Sequence, residues 1–161
     1  MIVTGDNRYI KTGLNQDVIE CVIGMYEQYK NQPITLVNDL RGLSVDDVCY
    51  SLFDYVLENV QYKEDPDGYQ YVKTPARLLS DGIGDCKSMT IFIASCLHCL
   101  EIPHIIRFVN FDGGSQYTHV YPVAIDEHGQ EIIVDCVERD SMKQPIYNYA
   151  RPFKKKIDFK R

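Results

Sequence analysis

At 161 residues the chain has the length of one ordinary domain, long enough to bury roughly 70% of the surface its unfolded form would expose without help from disulfides. With 45% hydrophobic and 25% charged residues it falls outside the disordered and fibrous classes, and no run approaches the ~20 apolar residues of a membrane span. The net charge of −6, from 17 Lys and Arg against 23 Asp and Glu, argues against a nucleic-acid-binding domain.

That charge is unevenly placed. Residues 151–161, RPFKKKIDFKR, hold six basic residues and one acid, so the tail stands at +5 and the remainder at −11. The plain reading is a solvated basic terminus, and the alternative is contact with an anionic partner. Residues 1–6 lack the basic region and apolar run of a signal peptide, so the expected location is cytoplasmic. There the six cysteines do not imply a disulfide framework, and four of them lie in apolar runs that suit a small buried hydrophobe. Cys96-x-x-Cys99 with His98 lacks a second pair at metal-binding spacing.

No repeat or low-complexity linker divides the chain, which reads as a single domain over 1–161 with its core at about 44–140 and the basic tail at 151–161. Residues 1–14 look irregular. A helix is predicted over 16–30, with Asn15 as its N-cap and Ile19, Val22, Ile23 and Tyr26 on one face, stopped by Gln32-Pro33. A second follows Ser44, whose capping partner is Asp47, and carries the stripe Val45, Val48, Cys49, Leu52, Phe53, Val56 and Leu57 to about Val60. Asp65-Pro66-Asp67-Gly68 is turn chemistry, and Thr74-Pro75 opens a short helix that Gly82-Ile83-Gly84-Asp85 breaks.

A third helix is predicted from about Cys86 to Leu100. It is apolar around most of its circumference, the mark of a central helix covered on several sides. After Pro103 the texture turns to β: 105–111, 117–126 and 131–137 read as strands, the last two joined by the three-residue loop Glu127-His128-Gly129 with glycine at its left-handed position. Helices followed by antiparallel strands make an α+β fold.

Cys86 stands where a loop turns into the central helix. A thiol there faces unpaired backbone N–H groups and the positive end of the helix dipole, both of which favour the thiolate. Gly82 and Gly84 read as room for a substrate backbone. A thiol nucleophile needs a base and the base an orienting partner. Among the four histidines, His119 lies inside a predicted strand. If Asp126 pairs opposite Gln130, then Tyr121 falls opposite Asp135, and His119, Tyr121 and Asp135 share a face with His119 and Asp135 as diagonal neighbours. A two-residue loop would shift the register and part them.

From about Phe53 to Val137 the sequence resembles the transglutaminase-like superfamily of papain-type thiol enzymes. The likeness is carried by Lys73-Thr74-Pro75-Ala76-Arg77-Leu78-Leu79 leading to Gly82-Ile83-Gly84-Asp85-Cys86-Lys87, then Leu97–Pro103, Arg107-Phe108-Val109, Thr118-His119-Val120-Tyr121 and Val134-Asp135. The resemblance implies a papain-like core in which the helix headed by Cys86 packs on an antiparallel sheet. It also implies a Cys86–His119–Asp135 triad: Cys86 attacks an amide carbonyl, His119 moves the proton, and Asp135 holds the imidazole. The Cys86 N–H would serve the oxyanion, with a second donor from Tyr69, Gln70 or Tyr71, and Tyr121 joins these as a candidate for the oxyanion or substrate-binding site. Where relatives place Trp, this chain has none, and Tyr121 or Val72 would fill the space. In relatives with acidic residues after the cysteine, calcium can bind nearby; here Lys87-Ser88 follows, so neither a metal nor another cofactor is implied.

The expected function is thiol-dependent acyl transfer on amide bonds of a peptide or protein substrate. Hydrolysis is favoured because a short single domain carries no separate acceptor-binding module. The alternatives are a protein-crosslinking transglutaminase, a catalytically silent binding or assembly protein, and acetyl transfer from a coenzyme. The last lacks a nucleotide-phosphate motif.

Overall fold

In the computed structural model the described residues are 2–4, 7–11, 15–66 and 69–161. Two short strands, β1 (Ile2–Thr4) and β2 (Asn7–Lys11), precede helix α1 (Asn15–Tyr29). Helix α2 (Val45–Asn59) leads to β3 (Gln61–Tyr62), β4 (Tyr69–Lys73), α3 (Pro75–Asp81) and β5 (Ile83–Gly84). The central helix α4 (Cys86–Cys99) is followed by β6 (His104–Asn110), β7 (His119–Ile125), β8 (Glu131–Ile133) and β9 (Lys155–Lys160). The four helices, with the short strands β1–β5 before and among them, precede an antiparallel four-stranded sheet ordered β8-β7-β6-β9, which is the α+β arrangement expected. No helix among the described residues is long and apolar enough to cross a membrane.

The helix signals act locally as their chemistry requires. Ser44 Oγ accepts from the Asp47 N–H at 3.1 Å, Thr74 Oγ1 from the Arg77 N–H at 3.2 Å, and Asp85 Oδ1 from the Lys87 N–H at 3.0 Å. The capping role read for Asn15 and the Asp67-Gly68 part of the turn lie outside the described side chains and residues.

Helix α4 is buried nearly all round, and two clusters meet on it. One joins it to α2 and the β8 end of the sheet through Phe53, Val56, Phe92, Leu97 and Val134. The other joins it to α1 and the sheet through Val22, Tyr26, Ile91, Ile106, Phe108 and Val120. Burying a side chain such as Ile91, Phe92 or Leu97 contributes roughly 1.5–3 kcal/mol each.

Three expectations change. Residues 1–14 are not irregular throughout: β2 pairs antiparallel with β4, from Asn7 opposite Lys73 to Lys11 opposite Tyr69. The tail is not a free solvated terminus, because β9 pairs along β6 and places Ile157 and Phe159 against the core. The Lys residues of this edge strand suit another purpose, since charge on a sheet edge discourages pairing with further chains. Finally, the glycines before Cys86 serve local packing. Gly82 takes the left-handed conformation that closes α3 (φ 66°), and a Cβ at Gly84 would overlap Leu78.

Candidate functional site

The two walls of the site are held to α4 by its first turns. Ser88 Oγ accepts from the Lys73 N–H of β4 at 3.1 Å, and Thr90 Oγ1 donates to the Val120 carbonyl of β7 at 3.2 Å. Between these walls opens a cleft of about 200 Å³, lined by Val18 and Ile19 of α1, Gln70 of β4, Cys86 and Lys87 of α4, Phe108 of β6 and residues 116–120. Cys86 is the half-buried member of the six cysteines, and the other five are buried.

The hairpin register is the predicted one. Asp126 and Gln130 flank the three-residue loop, with an Asp126 N–H to Gln130 carbonyl bond of 2.9 Å, and Gly129 sits at φ 77°. The ladder Ile125–Glu131, Ala124–Ile132, Val123–Ile133 then continues through a Val134 N–H to Pro122 carbonyl bond of 3.1 Å, carrying Asp135 to the level of Tyr121. There Asp135 Oδ2 accepts from His119 Nε2 at 2.6 Å, and its Oδ1 accepts from the Val137 N–H at 3.0 Å. Cys136 turns the other way, its sulfur 3.9 Å from the Phe53 carbonyl.

His119 is packed as well as bonded. Phe111 stacks on its ring at 5.9 Å and Tyr121 leans on it at 5.7 Å. Burial, the largest single influence on the ring, disfavours its charged form. The Asp135 hydrogen bond, the Cys86 thiol and the negative charge of both outweigh it and push the pKa up to about 10. With Nε2 bonded to Asp135, Nδ1 is the ring nitrogen that this carboxylate leaves unengaged, and His119 and Cys86 line the same cleft.

The sequence did not single out Glu138. Its carboxylate completes a cluster with His119 and Asp135 whose ligand atoms lie within 4.8 Å of one another. One nitrogen and two carboxylates could hold a cation, although His119 Nε2 is already committed to Asp135. No signal short of the strand's end at Ile133 would have found Glu138, because it follows the ladder rather than belonging to it.

Of the candidate oxyanion donors, Gln70 lines the cleft, whereas the Tyr71 N–H is bonded to Asp65 Oδ2 at 2.7 Å. Tyr69 opens β4, and its side chain lies outside those described. Tyr121 is buried in a third cluster, on the sheet, with Ile105, Val109, Val123 and Ile133, and supports the His119 ring rather than lining the cleft. Val72 is buried under α1. Two of the other histidines are engaged elsewhere, His98 with Asn31 and His104 with Tyr26 and the Ile102 carbonyl, while His128 sits in the hairpin loop away from the cleft lining. The Cys99 thiol points to the Lys30 carbonyl at 3.3 Å, so Cys96, His98 and Cys99 do not converge.

No family model and no curated protein matches the sequence. Solved structures do match the fold. Calcium-bound LapG from Legionella pneumophila is 18% identical with a TM-score of 0.57, over 88% of this chain and 83% of that one. EGTA-treated LapG is 17% identical with a TM-score of 0.58, over 93% of this chain and 83% of that one. A candidate protease from Parabacteroides distasonis is 12% identical with a TM-score of 0.60, over 75% of this chain but only 26% of that one. The chain therefore has the papain-like, transglutaminase-like fold.

Proposed function

We propose that the protein is a thiol hydrolase that cleaves amide bonds in a peptide or protein through a Cys86–His119–Asp135 triad. The observation that carries this reading is the buried 2.6 Å contact between His119 and Asp135 on the wall of the cleft into which Cys86 opens. The Cys86 thiolate adds to the carbonyl carbon. The oxyanion is met by the Cys86 N–H and the Gln70 side chain, the candidate donor that lines the cleft. The protonated His119 gives its Nδ1 proton to the departing amine, leaving a thioester. The neutral ring then takes a proton from water as it attacks, and the acid is released with the thiol restored. Asp135 keeps Nε2 protonated and stabilises the charged ring throughout.

Limited alkylation with iodoacetamide near neutral pH, followed by mass mapping, tests the reading. The first label is expected on Cys86 and slows by at least about tenfold in His119→Ala, the low end of what a positioned base contributes. A first label on Cys21 or Cys49, or a Cys86 rate indifferent to His119, would refute the hydrolase and leave a silent assembly protein. In a peptide assay, the balance between acid product and product joined to an added amine separates hydrolysis from crosslinking.

A further inference from the structure

The lysine that follows Cys86 is almost wholly buried. Its side chain is 8% exposed, and its ammonium is paired with Asp85 and lies 3.3 Å from Asp65 Oδ2. Taking an ammonium out of water is costly unless carboxylates compensate it, and lysine is seldom buried otherwise. The steps of amide cleavage above leave this charge unused.

Its neighbours show what it joins. Asp85 caps the helix headed by Cys86 and accepts the Lys87 N–H. Asp65 accepts the Tyr71 N–H at 2.7 Å, one residue along β4 from Gln70. The ammonium is thus shared between a carboxylate fixed to the nucleophile helix and one fixed to the opposite wall of the cleft. Behind it lies a cavity of about 260 Å³ lined by Asp65, Tyr71, Asp85 and Ser88, so side-chain packing does not close this side of the joint. The two carboxylates share one cation. Without it they would face each other in a buried space, where a hard divalent cation with oxygen preference would satisfy both.

We propose that Lys87 is a positioning residue. Its ammonium is a built-in cation that locks β4, and with it Gln70, against the start of the Cys86 helix, a task a divalent cation could perform between Asp85 and Asp65 in its absence. This deepens the hydrolase reading, on which only the meaning of the alkylation rate rests.

The test compares the parent with Lys87→Gln, Lys87→Arg and the double variant Asp65→Asn/Lys87→Gln, each in millimolar CaCl2 and in EGTA. Thermal unfolding, calorimetric calcium binding and the rate of Cys86 alkylation are followed. The parent is expected to show neither calcium binding nor a calcium effect. In EGTA, Lys87→Gln should melt lower and alkylate about tenfold more slowly, the scale of one lost charge-assisted contact. CaCl2 should restore both and bind measurably. The double variant, short of one carboxylate, should not respond.

Parental melting and rate for Lys87→Gln in EGTA would overturn the proposal, as would a slow Lys87→Gln that CaCl2 leaves unchanged. If Lys87→Gln folds only with calcium, the proposal is supported. If it folds in neither condition, Lys87→Arg decides: a parental rate supports a fixed cation and a lost one refutes it. Should the parent's Cys86 prove unreactive, the hydrolase reading fails, while the calcium dependence of Lys87→Gln melting still judges the clamp.

Discussion

Replacing Asp135 by alanine removes the strongest of the influences that hold the His119 proton. The ring's rise from 6.5 to about 10 corresponds to roughly 5 kcal/mol of preference for the charged form, at about 1.4 kcal/mol per unit. Cys86 supplies part of this, and burial works against it. Loss of Asp135 should therefore lower the ring's pKa by at least about one unit, or tenfold in proton affinity. Because the folded pKa lies above the unfolded one, the stability His119 contributes is fully present below about 6.5 and is lost as pH rises through about 10. Removing one member of a buried pair costs about 3–5 kcal/mol. The gap in unfolding free energy between parent and Asp135→Ala should be of that order near pH 6.5 and shrink towards pH 10. Asp135→Asn, which can still accept from Nε2, should lose less. Ring titration by NMR and urea unfolding across this range measure both effects. An unmoved His119 pKa, or a gap that stays constant to pH 10, would refute the coupling. Cys86 alkylation in Asp135→Ala should fall less than in His119→Ala, and a parental rate would reduce the site to a Cys–His dyad.

Gly84→Ala should lower the melting temperature, because the new Cβ overlaps Leu78 beneath the start of α4; overpacking of this kind costs about 1–3 kcal/mol, and an unchanged melting temperature would show that Leu78 gives way. Asn110→Ala should weaken peptide binding more than turnover. This buried amide pins the loop before His119 through the Gly113 N–H at 2.6 Å and the Gly114 carbonyl at 3.0 Å, and a KM that does not move would sink the idea. In the folded protein Cys49 and Cys136 should resist alkylation even at pH 9, since burial pushes the Cys49 thiol up to about 12 and that of Cys136 up as well; mass mapping at that pH checks it.

What could be read from the sequence was whatever is decided within a few residues. The cap at Ser44, the proline that opens the helix after Thr74 and the three-residue hairpin loop are each settled by one residue and its nearest neighbours in the chain. The register of that single loop was enough to bring His119 to Asp135. What escaped was decided by residues far apart in the chain. Strand β2 has its partner β4 some sixty positions on, and β9 completes its pairing only against β6, although the alternation of Ile157 and Phe159 in a run of lysines was a period-two signal. Charge misled for the same reason. A basic residue reads as solvated unless its partners are known, and those of the buried Arg107, Glu131 and Asp158, lie on two other strands. Lys87 is the sharper case. Beside Cys86 its charge looked only like a missing metal ligand, whereas Asp65 and Asp85, brought together by the fold, make the lysine itself the cation.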